Sequence, residues 1–159
     1  MIVEQTAALR QHALRTRNLW RAPSLTVPRA DDANDDGNRL RVLFAVRHGM
    51  NNKRNLLNAR SAAHALNAGL AVAGVHVTAE AASLGHGLVR DAQLVRHMDV
   101  VVGAHGGDLV NALCMHRGAS VIEARGYRWV DDGKGVWPGY FARLFGLDGA
   151  IHHFAVQLG

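Results

Sequence analysis

Short apolar, β-branched runs alternate with stretches of helical spacing along most of this chain. Residues 40–46 (LRVLFAV) are the first convincing strand, ending on Arg47-His48-Gly49. A helix over 51–68 follows, with Leu56, Ala59, Ala63 and Leu66 spaced for one buried face. Residues 70–77 read as a second strand. Gly85 and Gly87 loosen the next connection, and 88–98 reads as a helix. The run Val100-Val101-Val102 is a strand, 119–123 a fourth, 137–145 a helix after a loop rich in Gly, Asp and Trp, and 151–156 a last strand. Strands alternating with helices at these lengths suit right-handed βαβ units. The expected fold is therefore α/β, a Rossmann-like parallel sheet with helices on both faces. Ahead of it, residues 1–20 can form an amphipathic helix carrying Val3, Ala7 and Leu14; Pro23 and Pro28 end it, and 29–38 (RADDANDDGN) is a polar linker. This predicts an N-terminal helix and linker over 1–38 and one domain over 39–159.

The most informative stretch is AHGGDLVN, residues 104–111, directly after the valine strand. Its glycines stop the strand, Asp108 offers an N-cap side chain, and Leu109, Val110, Leu113 and Met115 supply the apolar side of a short helix. A strand, a tight turn and a helix start aim backbone N–H groups and the positive end of a helix dipole at one small volume, which suits a phosphate. Gly106 and Gly107 lack a Cβ, so a ligand can come close to the backbone there. His105 lies at the carboxyl end of the strand, where open parallel sheets bind ligands; it can equally hydrogen-bond a neighbouring loop.

Composition narrows the chemistry. The 159 residues suffice for one α/β domain with a real core, and no apolar run reaches membrane-spanning length. The N-terminus lacks the pattern of a secretory signal. One cysteine excludes an internal disulfide and a cysteine-rich metal site; Cys114 reads as a small buried hydrophobe. The net charge of +5 comes from scattered arginines without interleaved aromatics, which favours a local phosphate site over a nucleic-acid surface. The ten histidines include no HExxH, and His152 and His153 would point to opposite sides of a strand, so no metal is expected.

Arg47 closes its strand, and a guanidinium there can fork onto phosphate oxygens or pair with an acidic loop residue. If the first strand neighbours the valine strand, Arg47 and the glycine turn share one edge of the sheet. Glu123 ends a strand on the same edge, placed to accept ribose hydroxyls or to cap a helix.

Together these pieces resemble the carboxy-terminal part of glycosyltransferase family 61, which includes plant xylosyl- and arabinosyltransferases and animal protein O-linked N-acetylglucosaminyltransferases. The residues that carry the resemblance are Arg47; Arg54 with Leu56, Leu57 and Asn58; Asp99 to Gly103 running into a HGAGLTN-like turn at His105 to Asn111; Val121-Ile122-Glu123; and a late segment, Tyr140-Phe141 with Leu144 to Leu147. It covers residues 40–156. The chain departs from the pattern in having Gly107 and Asp108 for the motif's second small residue and glycine. It also replaces a glutamine near Arg90-Asp91 and lacks a proline near Arg125-Gly126.

The resemblance implies the C-terminal half of a GT-B glycosyltransferase, an inverting enzyme of the hexosyl- or pentosyl-transferring class. Its donor would be a nucleotide sugar, a UDP-sugar by expectation, and its acceptor a glycan or glycoprotein, with neither cofactor nor metal and no nucleic-acid partner. It places Arg47 and Arg54 on the diphosphate, His105, Gly106, Gly107, Asp108, Leu109 and Asn111 around phosphate and sugar, and Glu123 on the nucleoside. The general base and the acceptor side would belong to an N-terminal half missing here, so the chain reads as a fragment. A place in the Golgi or endoplasmic reticulum lumen is implied by the same family. Two alternatives stand beside it. Val46-Arg47-His48-Gly49 with Ala104-His105-Gly106-Gly107 is similar to the histidine phosphatases, in which His48 would be the phosphorylated nucleophile. A non-catalytic nucleotide-binding module is the other.

Overall fold

The computed structural model describes residues 39–47, 55–72, 76–126, 139–146 and 150–157, all within the compact unit Asn34–Gly159. The expected helix and linker over 1–38 lie outside the described residues.

Five strands form one parallel sheet: β1 (Leu40–Arg47), β2 (Val77–Leu84), β3 (Val100–Ala104), β4 (Ser120–Arg125) and β5 (His152–Gln157). Their order across the sheet is β2-β1-β3-β4-β5, all pairs being parallel. The interior strands read as continuous apolar runs because both of their faces are covered. On one face, Val42 of β1 and Ala79 of β2 pack with Ala63 of α1 (Ala59–Val72). On the other, Leu43, Val101 and Val121 meet Val95 of α2 (Leu88–Val95), Leu109 and Ala112 of a 3₁₀ helix (Gly107–Cys114), and Phe141 and Phe145 of α3 (Tyr140–Gly146). The expected Rossmann-like α/β arrangement is thus the observed one. Among the described residues no helix is long and apolar enough to cross a membrane.

Two expected boundaries are corrected. The helix expected over 51–68 begins at Ala59, after a turn in which the Ala59 N–H donates to the Leu56 carbonyl, and it runs on to Val72. Ala59 and Ala63 are buried as expected, while Leu57 is almost fully exposed. The strand expected over 70–77 is in fact Val77–Leu84. A short apolar run cannot be assigned to strand or helix by periodicity alone, and here Leu70 continues the Ala59-Ala63-Leu66 stripe. As the sheet's edge, β2 is held by Asn67 of α1, whose side-chain amide donates to the Ala79 carbonyl at 2.9 Å and accepts its N–H at 2.7 Å.

The helix after β3 is a tighter 3₁₀ helix than expected, and its period shows in the burial. Leu109, Ala112 and Met115 are buried at a spacing of three, which turns Leu113 and Cys114 outward. The expectation that Cys114 is buried is therefore corrected. Leu109 reaches back over β3 because Gly103 has no side chain: a Cβ at Gly103 would stand 2.6 Å from Leu109 Cδ2. Gly103→Ala is accordingly expected to cost about 1–3 kcal/mol by overpacking. Urea denaturation of the variant beside the parent chain measures it.

Candidate functional site

The strand order reverses between β1 and β3, and in open α/β sheets ligands bind beyond the carboxyl ends of the strands at such a switch point. Ala45 of β1 lies opposite Gly103 of β3, so Arg47 and the turn after Ala104 reach the same edge. The backbone N–H of Arg47 donates to Asn55 Oδ1 at 3.3 Å, fixing the end of the strand. Its guanidinium lies across Gly106: a Cβ there would stand 2.8 Å from Nη1 and 3.0 Å from Cζ. A side chain at Gly106 would oblige the guanidinium to shift off the turn. A Cβ at Gly107 would meet nothing within 4 Å, so the close approach foreseen for both glycines is open at Gly107 and filled by Arg47 at Gly106.

Asp108 is not the N-cap. Gly106 takes that position without a side-chain cap bond, and Asp108 enters the first turn. Its carboxylate accepts a hydrogen bond from Arg47 Nε at 2.9 Å, both side chains being about one-quarter exposed (24% and 25%). Of the two expectations for Arg47, the structure shows the ion pair with an acidic residue, Asp108 at the start of the 3₁₀ helix. The side chain of Leu109 belongs to the core, at 2% exposure, so only its main chain borders the turn. Asn111 spans two elements, its Nδ2 donating to the Asp108 carbonyl at 3.1 Å and to Asp91 Oδ2 at 3.3 Å. Arg54 and His48 lie outside the described residues.

His105 and Glu123 turn inward. The backbone N–H of His105 donates to the Ala124 carbonyl at 2.9 Å, extending the β3–β4 ladder by one residue. Its ring is 3% exposed for the residue as a whole, stands edge-on to Phe141 with centroids 5.3 Å apart, and bonds Glu123 Oε1 through Nδ1. Glu123 has no exposed surface. Its other oxygen accepts from His153 Nε2 at 2.9 Å and from Arg125 Nη2 at 3.0 Å. The carboxylate that the sequence placed on a ribose or a helix end is thus enclosed beneath the turn, with both oxygens engaged. Burial by itself would raise its pKa; the hydrogen bonds from His105 and Arg125 and their charges outweigh that and hold the carboxyl below its usual range.

Asp91, Arg125 and His153 were not among the expected site residues. Asp91 is buried at the start of α2, where Oδ2 accepts the Gly85 N–H at 2.7 Å; its buried Oδ1 has no hydrogen-bond partner among the described residues. The glycines at 85 and 87, both at positive φ, were the available signal that this turn is built around a polar group. His153 reaches Glu123 because β5 pairs with β4 so that His153 lies opposite Val121. Among the described residues no group of three or more His, Cys, Asp or Glu side chains is placed to hold a metal ion.

A strand-end arginine packed on a glycine turn at the switch point of a parallel sheet, beside the start of a 3₁₀ helix, places the protein in the open α/β class. The family is specific. The chain matches the model of Glycosyltransferase 61 over residues 3–122, about three-quarters of its length. The protein belongs to glycosyltransferase family 61 and is a glycosyltransferase. No curated protein matches the chain. The match begins well before Leu40, takes in Arg47, Arg54 and the whole 105–111 turn, and stops within β4, one residue short of Glu123.

Proposed function

We propose that the described domain binds the donor of an inverting sugar transfer, a nucleoside diphosphate sugar and specifically a UDP-sugar, for a glycan or glycoprotein acceptor in the Golgi or endoplasmic reticulum lumen. The observation that carries this reading is Arg47 packed on Gly106 at the β1/β3 edge. A terminal phosphate there meets the guanidinium on one side and the first N–H groups of the 3₁₀ helix on the other. Arg54 is assigned to the same diphosphate through the resemblance. In the transfer, the acceptor oxygen forms a bond to the anomeric carbon and gives its proton to a general base. The diphosphate leaves with the electron pair of the broken bond. Negative charge on the leaving group grows along that path, so the arginine and N–H groups stabilise the transition state more than the bound donor, without a metal ion. Glu123 acts here through His105, whose ring it orients, rather than on the nucleoside. A hexosyl or pentosyl donor fits the family equally.

Calorimetric titration of the full chain with UDP and with inorganic phosphate tests the reading, the expected result being UDP binding tighter than that of phosphate alone. Hydrolysis of a phosphomonoester that His48→Ala abolishes would replace it with the phosphatase reading. UDP binding without sugar transfer, even with an acceptor half supplied, would reduce the domain to a nucleotide-binding module.

A further inference from the structure

Resting on the donor-site reading, we infer that Asp108 is a specificity residue that sets the charge of the nucleotide site, weakening its hold on the more highly charged phosphate groups. An arginine facing a diphosphate ordinarily presents a full positive charge. Here Nε of Arg47 is 2.9 Å from the Asp108 carboxylate, so an incoming phosphate meets a neutral pair. The guanidinium lies against Gly106, and the main chain of Asp108 is held through its carbonyl by Asn111, itself bonded to the buried Asp91. The carboxylate is partly exposed and lies against the same guanidinium that the phosphate would meet, so it repels phosphate charge held there. Repulsion between like charges scales with their product. Its removal therefore gains more for a nucleoside diphosphate than for the monophosphate of the same nucleoside.

The isosteric Asp108→Asn retains an oxygen to accept the Arg47 Nε–H while removing the charge, and Asp108→Ser is a smaller second variant. Binding of UDP and UMP is measured by calorimetry on the full chain, parent and variants, at low and high salt. Asp108→Asn is expected to tighten UDP roughly tenfold and UMP roughly fivefold at low salt, with both gains shrinking as salt screens the charge. Equal gains for the two nucleotides, or gains indifferent to salt, would overturn the inference by showing a steric effect. Unchanged or weaker UDP binding in both variants, while Arg47→Ala still loses UDP, would also overturn it and make Asp108 a support for the arginine, leaving the donor site standing. If the parent fails to bind UDP, or Arg47→Ala binds it as well as the parent does, the donor-site reading fails, and this inference with it.

Discussion

Replacing Glu123 with glutamine is expected to destabilise the domain by about 3–5 kcal/mol, the usual cost of removing one member of a buried charge cluster. The carboxylate is wholly buried and accepts from His105, His153 and Arg125. An amide keeps the shape, but it offers one acceptor oxygen and turns an NH₂ toward groups that are themselves donors. Arg125 then sits beneath the turn without a counter-charge, and the two histidines lose a full carboxylate acceptor. For a chain of this size that loss lowers Tm by about 6–20 °C. The pH dependence has a defined sign. Because the folded-state pKa of Glu123 is lowered, its contribution is fully present above the ordinary carboxylate value of 4.5 and is lost as pH falls through the folded-state value. Thermal denaturation from pH 7 down to pH 3 should show the parent losing stability below about pH 4.5. The gap between parent and Glu123→Gln should narrow over the same range. A variant within about 1 kcal/mol of the parent at neutral pH, or a gap that widens in acid, would mean that the cluster does not hold the β3–β4 edge together.

The sheet was legible wherever side chains declared it. β1, β3 and β4 are runs of β-branched and apolar residues bounded by polar or glycine turns, and each was found within about two residues. β2 was not, because VTAEAASL is rich in alanine and carries a glutamate, neither favoured in strands, and a more apolar stretch precedes it. What makes it a strand is pairing along the whole of β1, from Leu40↔Val77 to Arg47↔Leu84, which no local window contains. The candidate site divides in the same way. Arg47 and the 105–107 turn were readable because a strand-end arginine and a glycine-stopped strand are local features, and one assumption, that β1 adjoins β3, brought them together. The partner of Asp108 needed the register of those strands and the tighter winding of a 3₁₀ helix. The fate of Glu123 needed β5 beside β4, which brings His153 to it across 30 residues of sequence. Strand-end position implied an outward carboxylate; the alternation along β4 puts Glu123 on the same face as Val121 and turns it into the core.

Arg47→Ala is expected to weaken UDP binding by roughly 10- to 150-fold, the equivalent of losing about 1.5–3 kcal/mol of hydrogen bonding between charged groups. Folding should hardly notice. The pair with Asp108 is a quarter exposed on each side, and an ion pair in that setting contributes about 1 kcal/mol or less. The variant thus separates binding from stability in a way that Glu123→Gln cannot. Arg47→Lys should recover only part of the affinity, since an ammonium is a point charge that cannot fork onto phosphate oxygens while also serving Asp108. The alanine variant leaves the Asp108 carboxylate beside the phosphate without its own paired cation, so its deficit combines a lost attraction with an uncompensated repulsion. The two parts separate in a cycle with Asp108→Asn. In the Arg47→Ala background, removing the aspartate charge should restore part of the lost affinity, and the two substitutions should not add. Calorimetric UDP affinities of the parent, both single variants and the double variant measure the coupling. Strict additivity would show that the 2.9 Å contact between Arg47 and Asp108 has no bearing on how the phosphate is held.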